Sequence, residues 1–256
     1  MPLPDFFRRR TGASRTPVKR GWRAALWRWC RRLAVLGIVV LFVLPVLWFV
    51  VFRFVPVPVT SFMIRGTVTG WLEDKPYTLH HDWVPLADIN PHLQRAVIAS
   101  EDQKFAEHYG LDIEAMEKAL VHNKRSKRVR GGSTISQQTA KNIFLWPGRS
   151  YVRKGLEAYL TVLMETLWSK ERILEVYLNS AEFGRGVYGA EAAARVYFRK
   201  PAGKLTSRES ALLAAVLPAP RKRNPARPSP LVISRAAWIQ GQMARLGPVE
   251  KAFTAD

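Results

Sequence analysis

"NPHLQRAVIASED", residues 90 to 102, sets the fold class of the chain. Asn90 followed by Pro91 is a helix N-cap with a proline at the first helical position. Leu93, Ala96, Val97 and Glu101 then recur at i, i+3, i+4 and i+8, one face of a 3.6-residue period. The spacing predicts an amphipathic helix whose apolar stripe ends on the carboxylate of Glu101, with Asp102 about 100° further round. Acidic helix residues are as a rule solvated. A carboxylate partly withdrawn from water has a raised pKa and becomes a usable proton acceptor near neutrality. Phe105 and His108, further along the same stretch, are expected to line the same cleft.

The helical period recurs downstream. Asp112 opens a run with Ile113, Met116 and Leu120, and "KRSKRVR" (124–130) is a basic connector. Thr134-x-x-Gln137 has the form of a capping box. Helical patterns continue over 151–168 and, after Ser169, through Ile173, Leu174, Tyr177 and Leu178 to Asn179. Thr206-x-x-Glu209 caps "SALLAAVL", which Pro218 and Pro220 stop, and 231–246 reads as a terminal helix before a tail at 247–256. No internal repeat occurs. The reading is an all-α domain over 88–246. Upstream, 54–87 holds Pro56, Pro58, Pro76 and Pro85 among short β-branched runs and is predicted as an extended linker or small hairpin.

Leu33 to Phe52 contains no charged residue and is about the length of a spanning helix. We place a signal anchor at 33–53, with Pro45 tolerated inside it. Residues 1–32 carry ten Lys/Arg and one acid, Asp5, so the positive-inside rule puts this tail in the cytoplasm and the C-terminal bulk outside. Trp22, Trp27 and Trp29 suit an interfacial anchor. A cleaved signal peptide fits less well, because the apolar run is long and "RFVPVPVT" offers no small-residue cleavage site.

The whole chain has 40 Lys+Arg against 20 Asp+Glu. Removing the tail leaves thirty basic and nineteen acidic residues, so the external domain is still cationic. Outside the membrane its natural anions are lipid headgroups and lipid-linked phosphates, not nucleic acid. One cysteine, Cys30, excludes an internal disulfide, and the five histidines show no metal-binding spacing.

"RGGSTISQQTAKN", residues 130 to 142, gathers two glycines, the hydroxyls of Ser133 and Thr134, the amides of Gln137, Gln138 and Asn142, and Lys141. Glycines before a helix N-terminus leave N–H groups free for an anion. An ordinary capped helix with a solvated polar face is the plainer reading. A nucleotide P-loop is excluded, since Gly-x-x-x-x-Gly-Lys-[Ser/Thr] is absent. In "GRSYVRKGLEAY" Glu157 lies near Arg149, Arg153 and Lys154, either as an i, i+4 pair with Arg153 or as one acid in a diphosphate pocket. Two carboxylates flanking a sugar bond are the signature of glycosyl chemistry.

Taken in order, "ASEDQKFAEHYGLD", "GGSTISQQTAKN", "RKGLE" and "SKERILEVYLNSAEFGRGVYGAEAAARVYF" resemble the peptidoglycan glycosyltransferases of glycosyltransferase family 51 over about residues 85 to 220. The resemblance implies an all-α, lysozyme-like fold with a membrane-associated jaw, here behind a single transmembrane helix. It implies that Glu101 is the base that deprotonates the 4-hydroxyl of the acceptor lipid II, which attacks the growing chain with inversion and expels undecaprenyl diphosphate. Glu157 would assist the leaving diphosphate directly or through a divalent cation such as Mg2+. Lys141 and Arg149 correspond to diphosphate contacts. Asp102, Phe105, His108, Thr134 and Gln138 match further cleft positions, while 173–179 and 183–194 shape the fold. "PRKRNPARPSP" represents the family's Pro-rich final motif only loosely.

Class A penicillin-binding proteins carry such a domain followed by a transpeptidase, but no Ser-x-x-Lys or Lys-Thr-Gly occurs here. The expectation is a monofunctional transferase of the bacterial inner membrane. Its implied partners are lipid II, the growing glycan chain and cell-wall synthesis or division proteins. The competing expectation is a lysozyme-like wall hydrolase or lytic transglycosylase using the same two acids. A third is a non-enzymatic membrane-anchored scaffold.

Overall fold

A computed structural model describes residues 21–73, 77–125, 131–148 and 150–247. Expectations that fall on 1–20, on 126–130 of the basic connector, on Arg149 and on 248–256 lie outside the described residues. The chain forms two compact units, 1–45 and 46–256.

The described part of the first unit is helical. α1 (Gly21–Ile38) runs into one π-turn (Val39–Val43) and then α2 (Leu44–Val51). In the wide turn Leu44 N–H donates to Val39 O, five residues back, just before Pro45. A proline has no N–H for the regular ladder, and a π-turn is one way to absorb it. Ala24–Val51 is long and apolar enough to cross a membrane, and its most apolar window is 6% buried. Trp22, Trp27 and Trp29 are exposed, with Arg31 and Arg32 placed over the rings of Trp27 and Trp29. Indole and guanidinium both favour a membrane–water boundary.

The second unit begins inside the apolar run. Phe49 is fully buried, and Trp48 and Phe52 pack on the same core as Phe144 and Trp168. The last carbonyls of a helix lack intrahelical donors. Here Trp168 Nε1 donates to Phe49 O at 2.6 Å and Arg172 Nη2 to Phe52 O at 2.9 Å. The end of the apolar segment is therefore built into the folded domain.

Residues 54–87 differ from the linker that composition predicts. Ser61–Leu72 is a helix, α3, capped by Thr60, whose side chain accepts from Met63 N–H. β-branched residues favour strands only where a pleated surface receives them. In this segment tertiary packing decides otherwise. Met63 is fully buried, and Gly66 and Gly70 let the Tyr77 ring cross the helix closely. A Cβ on Gly66 would stand 2.2 Å from Tyr77 Oη. No hairpin forms among the described residues of 54–87. Instead β1 (His80–His81) pairs in parallel with β3 (Val187–Tyr188), and β3 pairs antiparallel with β2 (Glu182–Gly184). Gly186, at φ 76°, makes the tight turn between β2 and β3, with Thr78 O 2.2 Å from where a Cβ would sit.

The rest is helical, as the period predicts. α4 (Pro91–Glu101), capped by Asn90, packs with α10 (Ser207–Val216) and α11 (Pro230–Leu246). α6 (Ile135–Phe144) packs between α7 (Tyr151–Leu167) and α8 (Lys170–Ser180). α5 (Ile113–Arg125) and α9 (Ala190–Phe198) complete the set. One core joins them, with Leu93, Ile135, Ile173, Leu174, Leu213 and Ile239 fully buried.

Candidate active site

Glu101 ends α4 where the two helix groups face each other. Its side chain is 14% exposed and opens into a cleft of about 1030 Å³. From α6, Gln138 Nε2 donates to Glu101 Oε2 at 3.0 Å. Gln138 Oε1 in turn accepts from Tyr177 Oη of α8 at 3.4 Å. From α11, Arg235 Nη2 lies 3.9 Å from Glu101 Oε1. Burial raises the Glu101 pKa above the ordinary carboxylate value, and Gln138, Arg235, Lys141 and Ser100 oppose that rise. Burial beside Glu101 and Asp102 pushes the Tyr177 hydroxyl well up, so it stays a neutral donor. The result is a carboxylate held in place, reachable from solvent and readily protonated.

Asp102 follows a different logic from the helical-wheel reading. α4 stops at Glu101, and Asp102 is its C-cap, in non-helical geometry. Its buried carboxylate turns inward, where Oδ2 accepts Ile135 N–H at the start of α6 at 3.0 Å. His108 Nε2 sits 2.9 Å from Oδ1. The anion held by the α6 N-terminus is thus one of the protein's own carboxylates, supported by the helix dipole.

The structure redistributes the remaining residues of the glycine-rich stretch. Gly132 fits tightly against α5, where a Cβ would stand 3.1 Å from Ala119 Cβ. Thr134 and Gln137 form a full capping box, and Thr134 Oγ1 also donates to Gly110 O at 2.6 Å. Gln137 is buried, its carbonyl oxygen given to Thr134 N–H. Ser133 borders the cleft and accepts from Lys154 Nζ at 3.2 Å. Asn142 offers its main-chain carbonyl to Ser61 Oγ at 3.0 Å and does not line the cleft. Phe105 is wholly buried beneath Lys170, whose ammonium is 4.7 Å from the ring centroid. It belongs to the core and not to the cleft wall, because α4 ends before the turn that carries it. His108 is likewise turned inward onto Asp102.

Glu157, 2% exposed, sits in a cationic cluster. Arg153 Nη1 donates to its Oε2 at 2.7 Å, and Lys154 Nζ to its Oε1 at 2.5 Å. Lys141 feels both acids, Glu157 and Glu101, and is the group that links the cluster to the cleft electrostatically. Burial lowers its pKa, reinforced by Arg153 and Lys154 and opposed by the two glutamates. Its Nζ lies 5.8 Å from the Phe62 ring centroid, and no described residue hydrogen-bonds or ion-pairs with it. A partly desolvated ammonium with unused donors suits an incoming anion.

Sequence reasoning missed the wall contributed by α11. Arg235, Trp238 and Gln242 line the cleft with Glu101, and Arg223 joins them from the preceding loop. Nothing in the local pattern of 231–246 distinguishes them from ordinary helix-surface residues.

The fold is that of a mostly helical glycosyltransferase domain with a deep cleft. The chain belongs to the family described as Transglycosylase, whose pattern matches residues 66–244. It is 53% identical over 232 residues to the biosynthetic peptidoglycan transglycosylase of Yersinia pestis (strain Pestoides F), covering 90% of this chain and 94% of that protein. The protein of the same name from Yersinia pseudotuberculosis serotype O:1b (strain IP 31758) matches to the same extent. The match begins at Gly66, inside α3, so the family's domain takes in most of the segment that composition reads as a linker.

Proposed function

We propose that the protein polymerises lipid II into peptidoglycan glycan strands, without transpeptidase activity. Glu101 removes the proton from the 4-hydroxyl of the acceptor sugar. The freed oxygen pair attacks the anomeric carbon of the growing chain from the opposite face, and the bond to undecaprenyl diphosphate breaks, the diphosphate leaving with its electron pair. One observation carries this reading. Glu101, destabilised as an anion by burial, lines the cleft while Lys141 lies within electrostatic reach of it. Glutamates tuned upward in this way serve as bases near neutral pH.

Lys141, Arg153 and Lys154 would compensate the charge of the departing diphosphate. Glu157 acts through the two cations it holds. Both Glu157 oxygens already carry a cationic partner and no described group of three His, Cys, Asp or Glu could hold a metal, so a Mg2+ here would depend on the phosphate oxygens of the ligand. No step is assigned to a metal. A wall hydrolase would bind phosphate-free glycan and leave this cation cluster without a ligand.

The tail 1–32 is proposed to be cytoplasmic and the catalytic unit external, at the inner membrane, where the lipid carrier presents its headgroup. The test is incubation of the purified full chain with lipid II, with and without chelator. Glycan polymer is expected in both cases. Glu101→Gln should lower the rate by about 10²–10⁴-fold, the usual contribution of a general base. Absence of polymer from the wild type, or full activity in Glu101→Gln, overturns the reading.

A further inference from the structure

α11 presents two faces with different duties. Val232, Ala236, Ile239 and Met243 are buried and hold the helix on the core. Arg235, Trp238 and Gln242, at i, i+3 and i+7, line the cleft instead. On that second face an indole keeps 49% of its surface exposed. Leu231 and Ile233 are also exposed on this helix, but of these apolar side chains Trp238 is the one that lines the cleft.

From this wall we infer that Trp238 is the stacking platform for the acceptor sugar ring. The inference rests on the glycosyl-transfer reading proposed above and names a binding element for it. The indole supplies a flat apolar surface that matches the C–H face of a pyranose. Hydrogen-bonding groups border it on both sides along the helix. Gln242 Oε1 accepts from Gln103 Nε2 at 3.4 Å, and both residues line the cleft. Arg235, one turn before Trp238, reaches to within 3.9 Å of Glu101. A ring stacked on Trp238 therefore lies alongside the proposed base, with equatorial hydroxyl and acetamido groups toward Arg235 and Gln242. An aromatic surface with a few convergent polar groups is the usual composition of a small-molecule site.

The test uses the full chain in detergent, as wild type, Trp238→Phe and Trp238→Ala. In the first arm a phosphate-free tetrasaccharide of N-acetylglucosamine is titrated by calorimetry and saturation-transfer NMR. In the second, lipid II polymerisation is measured as kcat and KM. Trp238→Ala is expected to weaken tetrasaccharide binding about tenfold and to raise KM by a similar factor, with kcat little changed. Trp238→Phe keeps a ring and should stay within about threefold of wild type. The binding arm decides the inference. Equal tetrasaccharide binding by wild type and Trp238→Ala, or no binding by wild type, overturns it. So does equal impairment of the Phe and Ala variants together with a lowered Tm, which would show packing alone. A wild type that binds the tetrasaccharide but makes no polymer refutes the proposed reaction and leaves the platform standing.

Discussion

Gln138 donates its amide N–H to Glu101 Oε2 at 3.0 Å while its own carbonyl accepts from the buried Tyr177 hydroxyl at 3.4 Å. Tyr177 fixes which end of the amide faces the carboxylate, because a neutral tyrosine offers its proton to the carbonyl end. Gln138 is thereby a positioning residue for Glu101, and it favours the ionised carboxylate that a proton acceptor needs.

That relationship has a pH signature. The Gln138 hydrogen bond and the Arg235 charge both hold the Glu101 pKa down against burial. Gln138→Ala and Arg235→Ala should each move the acid limb of the kcat/KM profile to higher pH. For Gln138→Ala the rate at the acid end should fall about tenfold or more, since a hydrogen bond to a charged group contributes roughly 1.5–3 kcal/mol. A uniform loss across pH 6 to 9, with the limb unmoved, would show that Gln138 does not act through Glu101.

Glu101 should also weaken the fold that carries it. Its folded pKa lies above the ordinary value of 4.5, so the folded state holds that proton more tightly than the unfolded chain does. The associated stability is complete below the unfolded pKa and is lost as pH climbs through the folded one. Glu101→Gln removes the loss. Its Tm should exceed that of wild type at pH 7–8, and the gap should close toward pH 4. Thermal unfolding across this range checks the sign; a lower Tm for the variant at pH 8 contradicts it.

Lys141→Ala separates ligand binding from packing. Burial lowers the Lys141 pKa, so the charged side chain is less stable folded than unfolded at neutral pH. Truncation should leave Tm unchanged or slightly higher while kcat/KM falls about 10²–10³-fold, as for loss of one preorganised charge-stabilising donor. A fall in Tm large enough to explain the lost activity would assign the lysine to the fold.

Asp102→Ala should behave in the opposite way. The carboxylate caps α6 through Ile135 N–H and partners His108 from a buried position. Removing it strands both groups, at a cost of about 2–4 kcal/mol. In a unit of this size that corresponds to a Tm lower by roughly 5–15 °C. If Tm holds while polymerisation vanishes, Asp102 touches substrate after all.

Much of this protein is written locally in its sequence. Caps at Asn90, Thr134, Ser169 and Thr206 start the helices the period predicts, because capping and amphipathicity involve only neighbours within a turn or two. The apolar run and its basic flank are equally local. Glu101 was legible for the same reason, as an acid in line with an apolar stripe that the structure buries at Leu93, Ala96 and Val97. α3 was not, since its helix depends on the Tyr77 ring lying across Gly66 and Gly70, against the strand preference of its β-branched residues. Asp102 borders the cleft, but its inward turn was not legible, because a helical wheel assumes the helix continues and its partner Ile135 is 33 residues away. The α11 wall was invisible, since a helix surface acquires meaning only from what it faces. Sequence alone therefore determined most of the helices, the long apolar segment and the placing of Glu101 on an apolar stripe, all matters of short-range chemistry. Tertiary structure decided which polar groups were consumed in holding the fold and which were left free to meet a ligand, because hydrogen bonds between elements distant in sequence settle that allocation.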